Sequence, residues 1–141
     1  MDAAYCNGVF HHIVPEQRLP NLRLIYESLR PGGMFAFWEN NPWNPGTNYV
    51  MSKCAFDQDA IKISPLEASR LVGGVGFDIL RIDYLFFFPH ALRGLRVLEG
   101  ALRKVPVGGQ YQVLCRKPES ARMLRGLVPG VVDQSQAHPA A

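Results

Sequence analysis

Apolar and polar positions change their rhythm several times along the chain, and each change predicts an element. Ala3-Ala4-Tyr5-Cys6 is mostly apolar and runs into Asn7-Gly8, so residues 2–7 read as a buried strand ending in a turn. From Glu16 onward Leu22, Ile25, Tyr26 and Leu29 recur at i, i+3, i+4 and i+7, the spacing of one helix face, until Pro31-Gly32-Gly33 stops it. Pro20 is expected in the first turn, where a missing N–H costs least. Met34-Phe35-Ala36-Phe37-Trp38 shows no alternation, as expected of a central parallel strand covered on both faces. Strand, helix and strand make one βαβ unit.

Residues 40–49 contain Pro42, Pro45 and Gly46, which predict a long loop leaving the carboxyl end of the second strand. A helix opens at Ser64, because Ser64-Pro65-Leu66-Glu67 combines a capping box with proline at the first helical position, and Gly73-Gly74 is expected to end it. Phe77 to Phe88 reads as a long strand stopped by Pro89. Leu92, Leu95, Leu98 and Leu102 mark a further helix of about three or four turns, and Gly108-Gly109 leads into a last strand, Gln110 to Arg116. Beyond Pro118 the polar mixture of Pro, Gly, Ser, Gln and Ala predicts a flexible tail over 119–141, after a domain spanning 1–118.

Composition narrows the class. Hydrophobic residues make up 48% and charged residues 19%, the balance of a globular domain. The longest apolar runs are five residues, far below the roughly 18 needed to cross a bilayer. The first residues lack the basic and apolar regions of a secretory signal, so a cytoplasmic location is expected. Cys6, Cys54 and Cys115 are an odd number at wide spacings, which points to free thiols. The net charge of +3 is concentrated in Arg93, Arg96, Arg103, Lys104, Arg116 and Lys117, a group that suits an anionic substrate, a lipid headgroup or nucleic acid. A solvated helix face plus a strand end explains it more simply, and nucleic acid ranks last because aromatics are not interleaved with the basic residues there.

In an open parallel sheet, ligands bind outside the carboxyl ends of the strands, which directs attention to Cys6–His12 and Glu39–Tyr49. Asn7 offers donors and an acceptor at a strand tip, and Gly8 lets the chain turn close to a ligand; a purely structural turn explains the pair equally well. His11 and His12 are neighbours whose side chains are expected to diverge, so no metal site is expected. One of them facing the cleft would serve as hydrogen-bond donor or general base, with helix packing as the alternative. Glu39, Asn40, Asn41 and Trp43, stiffened by Pro42 and Pro45, form a candidate substrate wall.

Taken together, Asp2-Ala3-Ala4-Tyr5-Cys6-Asn7-Gly8-Val9-Phe10-His11-His12-Ile13, then Leu29-Arg30-Pro31-Gly32-Gly33-Met34-Phe35-Ala36-Phe37, Val75-Gly76-Phe77 and a closing Arg116-Lys117-Pro118, resemble the C-terminal half of a class I S-adenosylmethionine-dependent methyltransferase of the small-molecule type. The resemblance covers roughly residues 2–118. It implies an α/β fold, a partial Rossmann-like sheet of the family's fourth to seventh strands with the last antiparallel, and methyl transfer by direct displacement at the sulfonium carbon. It further implies S-adenosylmethionine near Cys6, Asn7, Gly8 and His12, while His12 and Glu39 are the candidate catalytic residues and Asn40, Asn41 and Trp43 are expected against a small-molecule acceptor.

One departure is large. The family's Gly-rich loop has no counterpart: no G-x-G-x-G occurs, and Gly73-Gly74-Val75-Gly76 follows a helix, the wrong context for a cofactor loop. The chain therefore reads as a truncated or partner-completed methyltransferase, inactive alone and binding S-adenosylmethionine weakly or not at all. The alternative is a catalytically dead binding or scaffold module that dimerises or supports a partner chain through the strand at 3–7, whose outer edge the resemblance leaves unpaired.

Overall fold

The computed structural model describes residues 1–119; the expected tail from 120 onward lies outside the described residues. Four strands and four helices follow one another as β1 (Ala3–Asn7), α1 (Pro15–Ser28), β2 (Met34–Asn40), α2 (Pro45–Lys53), α3 (Pro65–Val75), β3 (Asp78–Leu85), the short α4 (Glu99–Leu102) and β4 (Gln110–Arg116), with 3₁₀ turns at Phe10–His12, Ala55–Asp57 and His90–Leu98. The sheet order is β1-β2-β4-β3. β1 and β2 are parallel, whereas β4 inserts antiparallel between β2 and β3. The mixed α/β class and the antiparallel last strand agree with the sequence.

The core lies on one face of this sheet. Phe35 and Phe37 of β2 and Tyr111, Val113 and Cys115 of β4 meet Leu22 and Tyr26 of α1 and Ala68 and Val72 of α3, all buried. Aromatic edges lock the layers: Tyr26 stands against Phe77 with ring centres 4.9 Å apart at 82°, and Phe10 meets Phe37 at 5.0 Å. The opposite face differs from expectation. Along β2 burial alternates, with Met34, Ala36, Trp38 and Asn40 only half-buried, because no helix among the described residues covers that side.

Other boundaries differ for local reasons. Pro20 is the sixth residue of α1 rather than part of its first turn, since Pro15 already occupies the start. Residues 45–49 are not loop: Asn44 caps α2 by accepting from the Thr47 N–H at 2.8 Å, and Pro45 supplies its first turn. Ser64 caps α3 as the sequence implies, yet the helix passes through Gly73-Gly74 and stops only where Gly76 turns left-handed. β3 is shorter than 77–88, because Phe86 takes a positive φ of 58°. The leucines 92, 95 and 98 form an extended 3₁₀ turn, not a regular helix.

Candidate functional site

The carboxyl ends of β1, β2 and β3 and the start of β4 all open on the same end of the sheet, and the polar residues gather there. At the tip of β1, Gly8 donates its N–H to the Trp38 carbonyl at 3.0 Å and adopts a φ of +62°, which swings the chain off the sheet into the Phe10–His12 turn. Asn7 is exposed beside it. A Cβ at Gly8 would meet only His11 Cε1, at 3.5 Å, so the strand tip has open space around it. Cys6 points the other way, into the core, and burial pushes its thiol up to about 12.

Below the turn lies a buried polar cluster. Glu39, 1% exposed, accepts from the Phe10 N–H at 2.7 Å and from His11 Nδ1 at 2.6 Å. These bonds fix the His11 tautomer and aim its Nε2 at Asp57 Oδ1, 3.3 Å away. His12 Nε2 reaches the same oxygen at 3.6 Å. Hydrogen bonding to Glu39 is the main reason the His11 pKa is raised, against an opposing effect of burial. No Lys or Arg among the described residues pairs with Glu39 or Asp57. Three anchors hold the segment carrying Asp57 against this cluster: Ile61 N–H donates to the His11 carbonyl, Arg18 Nη2 to the Ile61 carbonyl, and Tyr111 OH to the Ile63 carbonyl, at 2.8, 2.7 and 2.9 Å.

Adjacency does not separate the histidines here. In the tight 3₁₀ turn their rings lie 4.1 Å apart and both Nε2 atoms converge on Asp57, which overturns the expectation that neighbouring side chains diverge. The structure also makes His11 the buried member and leaves His12 half-exposed. Sequence reasoning missed Asp57 altogether, because it lies 46 residues from His11 in a segment with no motif.

Beside the cluster is an open cavity of about 670 Å³, within the range of small-molecule sites. Asn40, Val50, Met51, Asp57, Phe87 and Arg96 are among its lining residues. Of the proposed wall only Asn40 lines it. Asn41 is fully buried, donates through Nδ2 to the Pro106 and Gly108 carbonyls at 3.1 and 2.8 Å, and so ties the end of β2 to the start of β4. Trp43 is 45% exposed outside the lining. Glu39 lies beneath the site and reaches it only through His11.

No family model and no curated protein matches the chain. Solved structures do. A SAM-dependent methyltransferase from Archaeoglobus fulgidus superposes with a TM-score of 0.61 at 15% identity, over 83% of this chain and 59% of that one. The cyclase SpnF matches at 0.56 and 15% identity, over 85% of this chain and 50% of that one. A phosphoethanolamine N-methyltransferase of Haemonchus contortus, bound to S-adenosylhomocysteine and phosphomonomethylethanolamine, matches at 0.53 and 12% identity, over 84% and 34%. The chain thus has the fold of class I methyltransferases and spans at most about three fifths of the length of these structures.

Proposed function

We propose that the chain is the acceptor-binding half of a class I S-adenosylmethionine-dependent methyltransferase and acts on a small, partly apolar molecule. The observation that carries this reading is the placement of the cavity: it opens at the carboxyl ends of the parallel strands, directly beside the His11–His12–Asp57 cluster. Likeness of fold alone is a weaker support, since one fold hosts several chemistries and a cyclase shares this one.

The residues present fit one wall of a cofactor site. Exposed Asn7 and the open space over Gly8 leave room for a ligand past β1, while the family's Gly-rich loop is absent from the sequence. When bound, S-adenosylmethionine supplies the electrophilic methyl group. The chain's own contribution is orientation: Val50, Met51 and Phe87 bury the acceptor's apolar part, while Asn40 and Gln110 offer hydrogen bonds. The acceptor's proton falls to the His11–His12–Asp57 cluster, and Glu39 acts through His11 as a positioning residue. The second wall docks along the outer edge of β1, from another segment or chain.

The test uses labelled methyl transfer by the natively purified assembly alongside calorimetry on the chain alone. The chain alone is expected to show no micromolar affinity for S-adenosylmethionine, and the assembly to transfer methyl. Val50→Arg, on an exposed position of the cavity wall, is expected to raise the acceptor KM with little change in cofactor KM. Micromolar cofactor binding by the chain alone would refute the half-site reading; absence of transfer by the assembly would refute methyl transfer and leave the scaffold reading.

A further inference from the structure

Two carboxylates and two imidazoles meet at one end of the sheet, at spacings that a metal ion also bridges. With Nδ1 committed to Glu39, a neutral His11 turns the lone pair of Nε2 toward Asp57 Oδ1, and a neutral His12 does the same through its own Nε2. Lone pairs facing a carboxylate oxygen repel unless a proton or a cation lies between them. Zinc bound to nitrogen and oxygen at about 2.05 Å in a tetrahedron sets its ligand atoms about 3.3 Å apart. The two measured edges, 3.3 and 3.6 Å, are close to that spacing, and all three donor atoms lie within 4.8 Å of one another.

We propose that His11, His12 and Asp57 form a binding site for a divalent transition-metal ion of the zinc type, with Glu39 as the carboxylate that orients His11.

Two further observations support it. Glu39 and Asp57 meet no Lys or Arg among the described residues and pair only with His11 and His12, so a cation at the two Nε2 atoms would supply the positive charge that neutral imidazoles do not. A hydrogen bond from the non-ligating nitrogen to a buried carboxylate is the usual support for a metal-bound histidine. Asp57 lines the cavity and gives access to the site, and three protein ligands leave a fourth position open for water or an acceptor heteroatom. Nitrogen in two of three ligands favours zinc, cobalt or nickel over magnesium and calcium. The site stands on these residues alone; with an ion bound, their lone pairs would hold it instead of taking the acceptor's proton, and its Lewis acidity would acidify the acceptor in their place.

The test is titration of the full chain with Co²⁺, read by its visible absorption, followed by displacement with Zn²⁺. The expected result is one ion per chain, a spectrum of four-coordinate intensity, and displacement by Zn²⁺ at micromolar concentration or below. His12→Ala, at a half-exposed position, and Asp57→Asn, an isosteric change on the cavity wall, are each expected to weaken binding at least tenfold while the far-UV circular dichroism stays native. Glu39→Gln is expected to weaken it by about 10–100-fold. Absence of saturable binding at millimolar Co²⁺, binding unaffected by His12→Ala, or a thiolate charge-transfer band assigning the ion to cysteine would each overturn the proposal.

Discussion

At the scale of single residues, burial decides which side chains are open to chemistry. Cys6 and Cys115 are both held at about 12 by burial, so at pH 8 they stay protonated and a thiolate reagent finds almost none of the reactive form. Both are expected to label about a thousandfold more slowly than in the unfolded chain, measured by mass spectrometry after alkylation. Their raised pKa also carries a stability cost in alkali. The contribution is fully present below the ordinary thiol value near 9 and is lost as the pH rises toward 12, so unfolding free energy should fall across that window. A Cys115→Ser variant would show whether the loss follows the thiol; an unchanged alkaline slope would count against it. Legibility was poorest at this scale. Glu39 was visible as a polar residue at a strand end, but its two donors were not, because Phe10 and His11 reach it only across the βαβ crossover. Asn41 reads as a substrate contact in sequence and proves to be a clasp between two strands.

Among the elements, local chemistry that closes on itself was read correctly. The Ser64 cap is an example: the accepting hydroxyl and the donor N–H lie three residues apart, and the structure shows Glu67 N–H donating to Ser64 Oγ at 3.2 Å. Ser64→Ala is expected to cost about 1 kcal/mol in urea unfolding, with the m-value unchanged. The strand at Gln110–Arg116 was also legible, from its glycine entry. Here Gly108 is needed for close approach, since a Cβ would stand 2.6 Å from the Leu85 carbonyl oxygen. What failed depended on distant partners. The two glycines 73 and 74 do not end α3, because both face open space where neither strains the helix, and the left-handed turn waits for Gly76. The 90–102 leucines mark an amphipathic stretch but leave its winding undetermined, and the structure gives 90–98 a 3₁₀ form and only Glu99–Leu102 an α-helical turn, with most of the apolar side chains half-exposed.

For the whole molecule, the open edge dominates. Gly8 N–H and the Asp2 carbonyl both bond to β2, so the strand alternation turns the backbone groups of Ala3, Tyr5 and Asn7 outward. Among the described residues β1 pairs only with β2, and Tyr5 is 62% exposed at its outer face. Such an edge is a template for another strand. The chain alone is expected to self-associate with rising concentration in light scattering, and Tyr5→Lys to shift it toward monomer. Association unchanged by Tyr5→Lys would place the contact elsewhere.

The opposite end of the sheet is closed. Arg30 N–H donates to the Met1 carbonyl, Gly32 N–H to the Lys117 carbonyl, and Lys117 N–H to the Gly33 carbonyl, at 3.0, 2.9 and 2.8 Å. One short turn therefore clasps both the approach to β1 and the exit from β4. Strand order along residues 1–119 is thereby separable from strand order in the sheet: a short linker from the end of these described residues back to their start would permute them circularly without breaking a strand pairing. New ends opened in the exposed segment 90–107 would leave the clasp, the core and the polar cluster where they are.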